Sequence, residues 1–167
     1  MNRAPHRLAP ARRKIASLAA VMRIARRAET RGLKVVFTNG CFDLLHAGHV
    51  TLLERARRLG DLLIVGINSD RSVRALKGAG RPIVGQRDRA LILAALESVD
   101  YVIVFDEATP RRLVERLRPH VLIKGADWGT TEIVGREIVR RDGGLVVRFP
   151  LVKGYSTSRL IERIRRG

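Results

Sequence analysis

The chain has 167 residues, enough for one ordinary domain and short for two, and 46% of them are hydrophobic, which can supply a real core. No run approaches the roughly 20 apolar residues of a membrane-spanning helix, and the N-terminus lacks the apolar stretch and small-residue cleavage site of a secretory signal. A single cysteine, Cys41, excludes an internal disulfide framework, so a reducing, cytoplasmic setting without a membrane partner is expected. Lys and Arg number 33 against 16 acidic residues, a formal charge of +17 that attracts polyanions, whether nucleic acid or phosphorylated metabolites. With aromatics at 4% there is no interleaving to stack bases, so nucleic acid is the disfavoured partner and a solvated basic surface the plainer reading.

In chain order, residues 1–32 form a basic extension whose lone acid is Glu29, a composition shared with transit peptides; Ile15 to Ala28 has helical spacing. Residues 33–167 form the domain. Val35-Val36-Phe37 reads as a buried strand, followed by a loop and a helix from about Leu44 to Leu59. Leu62 to Ile67 is a second strand, Gln86 to Glu97 a helix, and Tyr101 to Phe105 a third strand. Pro110 suits the first turn of a helix ending near Leu117, and Val121 to Ile123 is a short strand. Gly135 to Arg140 is helical, Asp142-Gly143-Gly144 turns into the strand Leu145 to Phe149, and Ser158 to Arg165 closes the chain as a helix. Five short apolar strands alternating with helices predict an α/β fold, a doubly wound five-stranded parallel sheet covered on both faces. Ligands in such folds bind beyond the carboxyl ends of the strands, where strand order reverses.

The loop after the first strand reads Thr38-Asn39-Gly40-Cys41-Phe42-Asp43-Leu44-Leu45-His46-Ala47-Gly48-His49. Gly40 permits a tight turn, and the loop feeds a helix N-terminus whose free N–H groups and dipole favour an anion. His46 and His49, three apart, share one helix face, and Gly48 between them removes a side chain where a phosphate could approach. Two imidazole donors there suit charge developing on a pentacoordinate phosphorus. Two other readings stand beside this one: His49 shares helical spacing with Leu45, Leu52, Leu53 and Ala56 and could be a core histidine, or the pair could be half a metal site. His6 and His120 are the other histidines, and no Cys or acidic cluster completes a tetrahedral set, so no protein-held metal is expected. Cys41 has no activating base in view, and Asp43 could bind Mg²⁺ or cap the helix.

Three further blocks carry chemistry. Lys77, with Gly78, Gly80 and Arg81, puts an ammonium and a guanidinium fork on a loop that can fold over phosphates, and Arg87 opens the next helix. Lys124 and Gly125 follow the fourth strand on its ligand side; beyond them Asp127 can accept from sugar hydroxyls or cap a helix, and Trp128 offers a stacking face. Ser156-Thr157-Ser158, followed by Arg159, forms a second helix start suited to an anion.

The His46-to-His49 segment resembles the His-x-Gly-His signature of the nucleotidyltransferase superfamily, which includes cytidylyltransferases, pantetheine-phosphate adenylyltransferase and class I aminoacyl-tRNA synthetases. The four blocks together, from about Leu33 to Ile164, are similar to the adenylyltransferases of ADP-heptose synthesis, which join D-glycero-D-manno-heptose 1-phosphate to AMP from ATP. The resemblance implies a Rossmann-like nucleotidyltransferase fold and ATP and a sugar phosphate as partners, with Mg²⁺ carried by the triphosphate. It implies catalytic roles for His46, His49 and Lys77. Nucleotide contacts would come from Thr38, Asn39, Gly40, Cys41, Phe42, His46, Gly48, His49, Lys124, Gly125, Asp127 and Ser156 to Ser158; acceptor contacts would come from Asp43, Lys77, Arg81 and Trp128. Relatives usually read Ser-Thr-Thr where this chain has Ser158 third, which keeps the hydroxyl. A cytidylyltransferase acting on glycerol phosphate or an aminoalcohol phosphate is the alternative within the class. A homo-oligomer, a dimer, is the expected assembly. Bifunctional relatives carry a sugar kinase before this domain; 167 residues leave no room for one, so a separate kinase is expected to supply the heptose phosphate.

Overall fold

The computed structural model describes residues 10–125, 133–150 and 155–167. Five strands, β1 (Val35–Gly40), β2 (Leu62–Asn68), β3 (Tyr101–Phe105), β4 (Val121–Gly125) and β5 (Leu145–Phe149), form one sheet in the order β3-β2-β1-β4-β5. Every pairing is parallel, with Val35 opposite Leu62, Phe37 opposite Leu122 and Gly125 opposite Phe149. Strand order reverses beside β1, which puts the switch point at the ends of β1 and β4.

The pleat sends alternate residues to opposite faces, so each strand feeds two cores. Val35, Phe37, Ile64, Ile103 and Leu122 pack under α1 (Leu18–Glu29), α5 (Arg111–Leu117) and α6 (Arg136–Arg141). Val36, Leu63, Val65, Val102 and Ile123 pack under α2 (Ala47–Arg57) and α4 (Gln86–Ala95). Burial on both faces explains why these strands are continuous apolar runs. Two helices complete the set, α3 (Asp70–Lys77) and α7 (Thr157–Arg166). None of the described helices is long and apolar enough to cross a membrane.

Several boundaries differ from the sequence reading. The first helix starts at Leu18, because Ser17 caps it by accepting from Ala20 N and Ile15 instead forms a parallel bridge with Val102 on the edge of β3. A 3-10 turn at Ala11–Lys14 precedes it, and Lys14 Nζ donates to the carbonyls of Leu96 (3.1 Å) and Val99 (2.8 Å). The described part of the basic extension therefore covers a sheet edge that would otherwise be open, and Val21, Ala25 and Ala28 belong to the core. The helix α3 was not expected at all. It buries one apolar side chain, Val73, so its pattern is too sparse to register as helical.

Candidate active site

The loop leaving β1 is held by two buried charges. The Asp43 carboxylate, 3% exposed, accepts from the backbone N–H groups of Ile83 (2.8 Å) and Val84 (2.9 Å) and from Arg81 Nε. The Arg89 guanidinium, 1% exposed, donates to the Cys41 carbonyl (2.5 Å), the Val84 carbonyl (2.9 Å) and Asp70 Oδ1 (2.8 Å). Each group makes three hydrogen bonds, and such partners are what make a buried charge tolerable. Together they tie the loop to the Lys77-to-Val84 segment and to the start of α3. That segment makes its turns at Gly78 and Gly80, both with φ +89°, a region open to glycine.

Within this frame Phe42 takes φ +46° and buries its ring against His49, at 5.1 Å and 54°. His46 is the N-cap residue of α2, with its carbonyl accepting from His49 N. The two imidazoles stack at 3.8 Å between centroids and 17° between planes. Gly48 is needed here for a close approach: a Cβ would stand 3.0 Å from Tyr155 Cβ and 3.1 Å from His46 Nδ1. The approach it permits in the described residues is thus of two rings, a reason the sequence reading did not contain. Burial first, and then the neighbouring His46, pull the His49 imidazole down to about 4. The ring is therefore neutral at physiological pH. Its buried Nδ1 and the buried Asn39 Oδ1 have no hydrogen-bond partner among the described residues.

The start of α7 arrives from the far end of the chain. Ser156 caps it, accepting from Arg159 N at 3.4 Å, and Thr157 Oγ1 donates to the Leu44 carbonyl at 3.3 Å. Tyr155 lays its ring along His46 at 5.9 Å and 27°. Two helix N-termini and two imidazoles thus share one neighbourhood, the geometry for holding a polyphosphate.

The remaining expected residues divide. Lys77, at the last turn of α3, is exposed, and its ammonium is the largest charge lowering the Cys41 thiol, followed by Arg89 and Arg81; burial outweighs all three and the thiol is raised. Lys124 is buried at the end of β4 and Gly125 ends that strand. Ser158 is exposed on the first turn of α7. Thr38 lies within the sheet, its hydroxyl donating to the Ile123 carbonyl at 3.1 Å and joining β1 to β4. Gly40 packs against the Phe42 ring. Arg81 and Asp43 meet each other through Arg81 Nε. Asp127 and Trp128 lie outside the described residues. His120 is structural, its Nδ1 accepting from Val35 N. Among the described residues no group of three His, Cys, Asp or Glu is placed to hold a metal ion. Leu53 and Ala56, not the half-buried His49, fill the core stripe of α2.

Arg89 and Tyr155 were missed. Arg89 had a readable signal: it shares the stripe Arg89, Ala90, Leu93, Ala94, in which every other member is apolar. A charge at a core position of an amphipathic helix is a buried group with partners elsewhere. Nothing local marks Tyr155, whose contact is with a residue more than a hundred positions away.

Residues 37–163 match the cytidylyltransferase-like family model. The chain is 55% identical over 154 residues to the bifunctional protein HldE of Geotalea uraniireducens (strain Rf4), covering 92% of this chain and 31% of that protein. It is 55% identical over 148 residues to bifunctional protein HldE of Syntrophotalea carbinolica (strain DSM 2380 / NBRC 103641 / GraBd1), covering 89% and 30%. The chain thus spans about a third of these curated relatives. The lipopolysaccharide core biosynthesis protein from Thermoplasma volcanium GSS1 superposes with a TM-score of 0.61 at 27% identity, covering 75% of this chain and 100% of that one. A pantoate-beta-alanine ligase from Francisella tularensis shares the fold, with a TM-score of 0.63 at 16% identity over 89% and 72%. The match covers most of its length: the chain belongs to the cytidylyltransferase-like family.

Proposed function

We propose that this domain transfers AMP from ATP to D-glycero-D-manno-heptose 1-phosphate, giving ADP-heptose and pyrophosphate, in the cytoplasm. The observation that carries the reading is the meeting of the stacked His46–His49 pair with the start of α7, through Thr157 and Tyr155. In the reaction an oxygen of the sugar phosphate attacks the α-phosphorus of ATP in line. The new P–O bond forms as the bond to the β-phosphate bridging oxygen breaks, and pyrophosphate leaves with the electron pair. No side chain serves as nucleophile, and the raised Cys41 thiol, protonated at neutral pH, is a poor candidate for one. Catalysis is then positioning and charge stabilisation. His46 and His49 donate to the α-phosphate and bridging oxygen, and Lys77 closes over the phosphates. The starts of α2 and α7, with Ser156, Thr157 and Ser158, hold the triphosphate. Lys124, Gly125 and Asn39 line the nucleotide. Mg²⁺ arrives on the triphosphate as part of the substrate; the Asp43 carboxylate is occupied in holding Arg81, Ile83 and Val84.

The choice of sugar is supported by the similarity to bifunctional protein HldE and to a lipopolysaccharide core biosynthesis protein. The family's own description keeps a cytidylyltransferase in view. A panel of the four nucleoside triphosphates against heptose 1-phosphate, glycerol phosphate and aminoalcohol phosphates, read by pyrophosphate release, separates the two. Turnover with ATP and heptose 1-phosphate is expected. Preference for CTP and glycerol phosphate would replace the acceptor and base, and silence with every pair would remove the transferase reading.

A further inference from the structure

The carboxyl edge of the sheet has a second half. On one side of β1 stand the ends of β4 and the start of α7, where the triphosphate is placed above. On the other side, beyond β2 and β3, opens a cavity of about 870 Å³ between the starts of α3 and α4. It adjoins the loop after β1 at Arg89, which donates both to Asp70 on the cavity wall and to the Cys41 carbonyl on the loop.

The lining is mixed in charge. Arg71 is paired with Asp106, but Arg74 and Arg87 make no ion pair among the described residues, and neither does Asp88. Gln86 uses its carbonyl oxygen to accept from Asp70 N (2.9 Å), which leaves its amide N–H groups to donate. Three arginines against three aspartates give a lining with no large net charge, unsuited to a triphosphate carrying several negative charges. A polyhydroxylated molecule with a single phosphate matches it better: carboxylates accept from vicinal hydroxyls, and guanidinium forks donate to hydroxyl and phosphate oxygens.

We infer that this cavity is the acceptor pocket, in which Arg74, Arg87 and Asp88 hold the sugar end of the phosphorylated acceptor while its phosphate reaches across the Arg89-held loop toward His46 and His49. The inference rests on the proposed sugar-phosphate adenylyltransferase reading. Arg74, Arg87 and Asp88 then determine which acceptor is used, and have no part in ATP binding.

The test is steady-state kinetics of Arg74→Ala, Arg87→Ala and Asp88→Asn against ATP and heptose 1-phosphate separately. Each variant is expected to raise KM for the sugar phosphate roughly tenfold, the loss of one charge-assisted hydrogen bond, with KM for ATP and melting temperature unchanged. All three side chains are exposed, so folding is not at stake. A sugar-phosphate KM within twofold of wild type in the Arg74→Ala/Arg87→Ala double variant overturns the pocket, as does an equal rise for ATP. If wild type is silent on heptose 1-phosphate, the functional reading is what fails; the variants are then measured with the acceptor the substrate panel reveals, on the same criterion. If the panel reveals none, the pocket falls with the reading.

Discussion

The two walls of the candidate site are held in opposite ways. The loop after β1 is fixed by Asp43 and Arg89, each buried and each making three hydrogen bonds to other segments. The helix α7 buries no residue at all and is attached at its first turn, through Thr157 and through the Tyr155 ring. One wall is organised before any ligand arrives. The other draws its order from the contact at its own tip and, in the proposed function, from the triphosphate. A preorganised donor set is worth most where charge develops, at the α-phosphate, whereas a wall that grips β and γ oxygens can close on them.

The largest effect should come from breaking the fixed wall. Arg89→Met leaves the Asp70 carboxylate and the carbonyls of Cys41 and Val84 without their donor, and removing one member of a buried charged network costs about 3–5 kcal/mol. In a chain of this size that lowers the melting temperature by roughly 10 °C. Thermal unfolding of Arg89→Met beside Arg159→Met on α7 measures the contrast, since the latter should move by less than about 2 °C. Equal shifts would erase the distinction between the walls.

How much of this was readable in the chain follows from the same contrast. The strands were, because V-V-F, L-L-I-V-G-I and Y-V-I-V-F are apolar throughout, as burial on both faces requires. The order β3-β2-β1-β4-β5 was not, since it is a property of crossovers and leaves no trace in local pattern. That His46 and His49 stand together at a helix start was readable from their spacing and loop. Asp43 stood undecided between a metal and a helix cap because the partners that engage it, Arg81, Ile83 and Val84, lie about forty residues on. Asp127 and Trp128 lie outside the described residues, and their roles stay with the resemblance.

Next in size is the chemistry of the fixed wall. His49→Ala should lower kcat by on the order of 10²–10³-fold, the usual consequence of losing one transition-state donor. KM for ATP should change little, because binding in the ground state is shared with the start of α7. Single-turnover AMP transfer checks this; a variant that keeps its rate assigns His49 to packing against Phe42.

The open wall should answer more weakly. Thr157→Val removes the hydroxyl that donates to the Leu44 carbonyl, a hydrogen bond worth about 1 kcal/mol, and should raise KM for ATP about fivefold with kcat nearly intact. Hydrogen exchange gives the independent measure: amides of α7 should exchange faster than those of α4 in the free protein and become protected when ATP is added. Protection in α7 equal to that in α4 without ATP would mean that both walls are organised in advance.

The smallest effect tests the fixed wall without a mutation. His49 titrates near 4 in the folded protein against 6.5 when unperturbed, because burial and then His46 disfavour the imidazolium. The unfolded chain therefore binds more protons between those values, so this ring's contribution to stability is full above about 6.5 and is lost as the pH falls toward 4. NMR titration of the imidazole should find that depressed value in the free protein. A bound triphosphate puts negative charge beside the ring and should raise it, since a nearby anion favours the cation. The rise separates two roles that stability alone cannot. A core histidine would keep its low value whatever is bound, whereas a histidine facing the phosphates must respond to them.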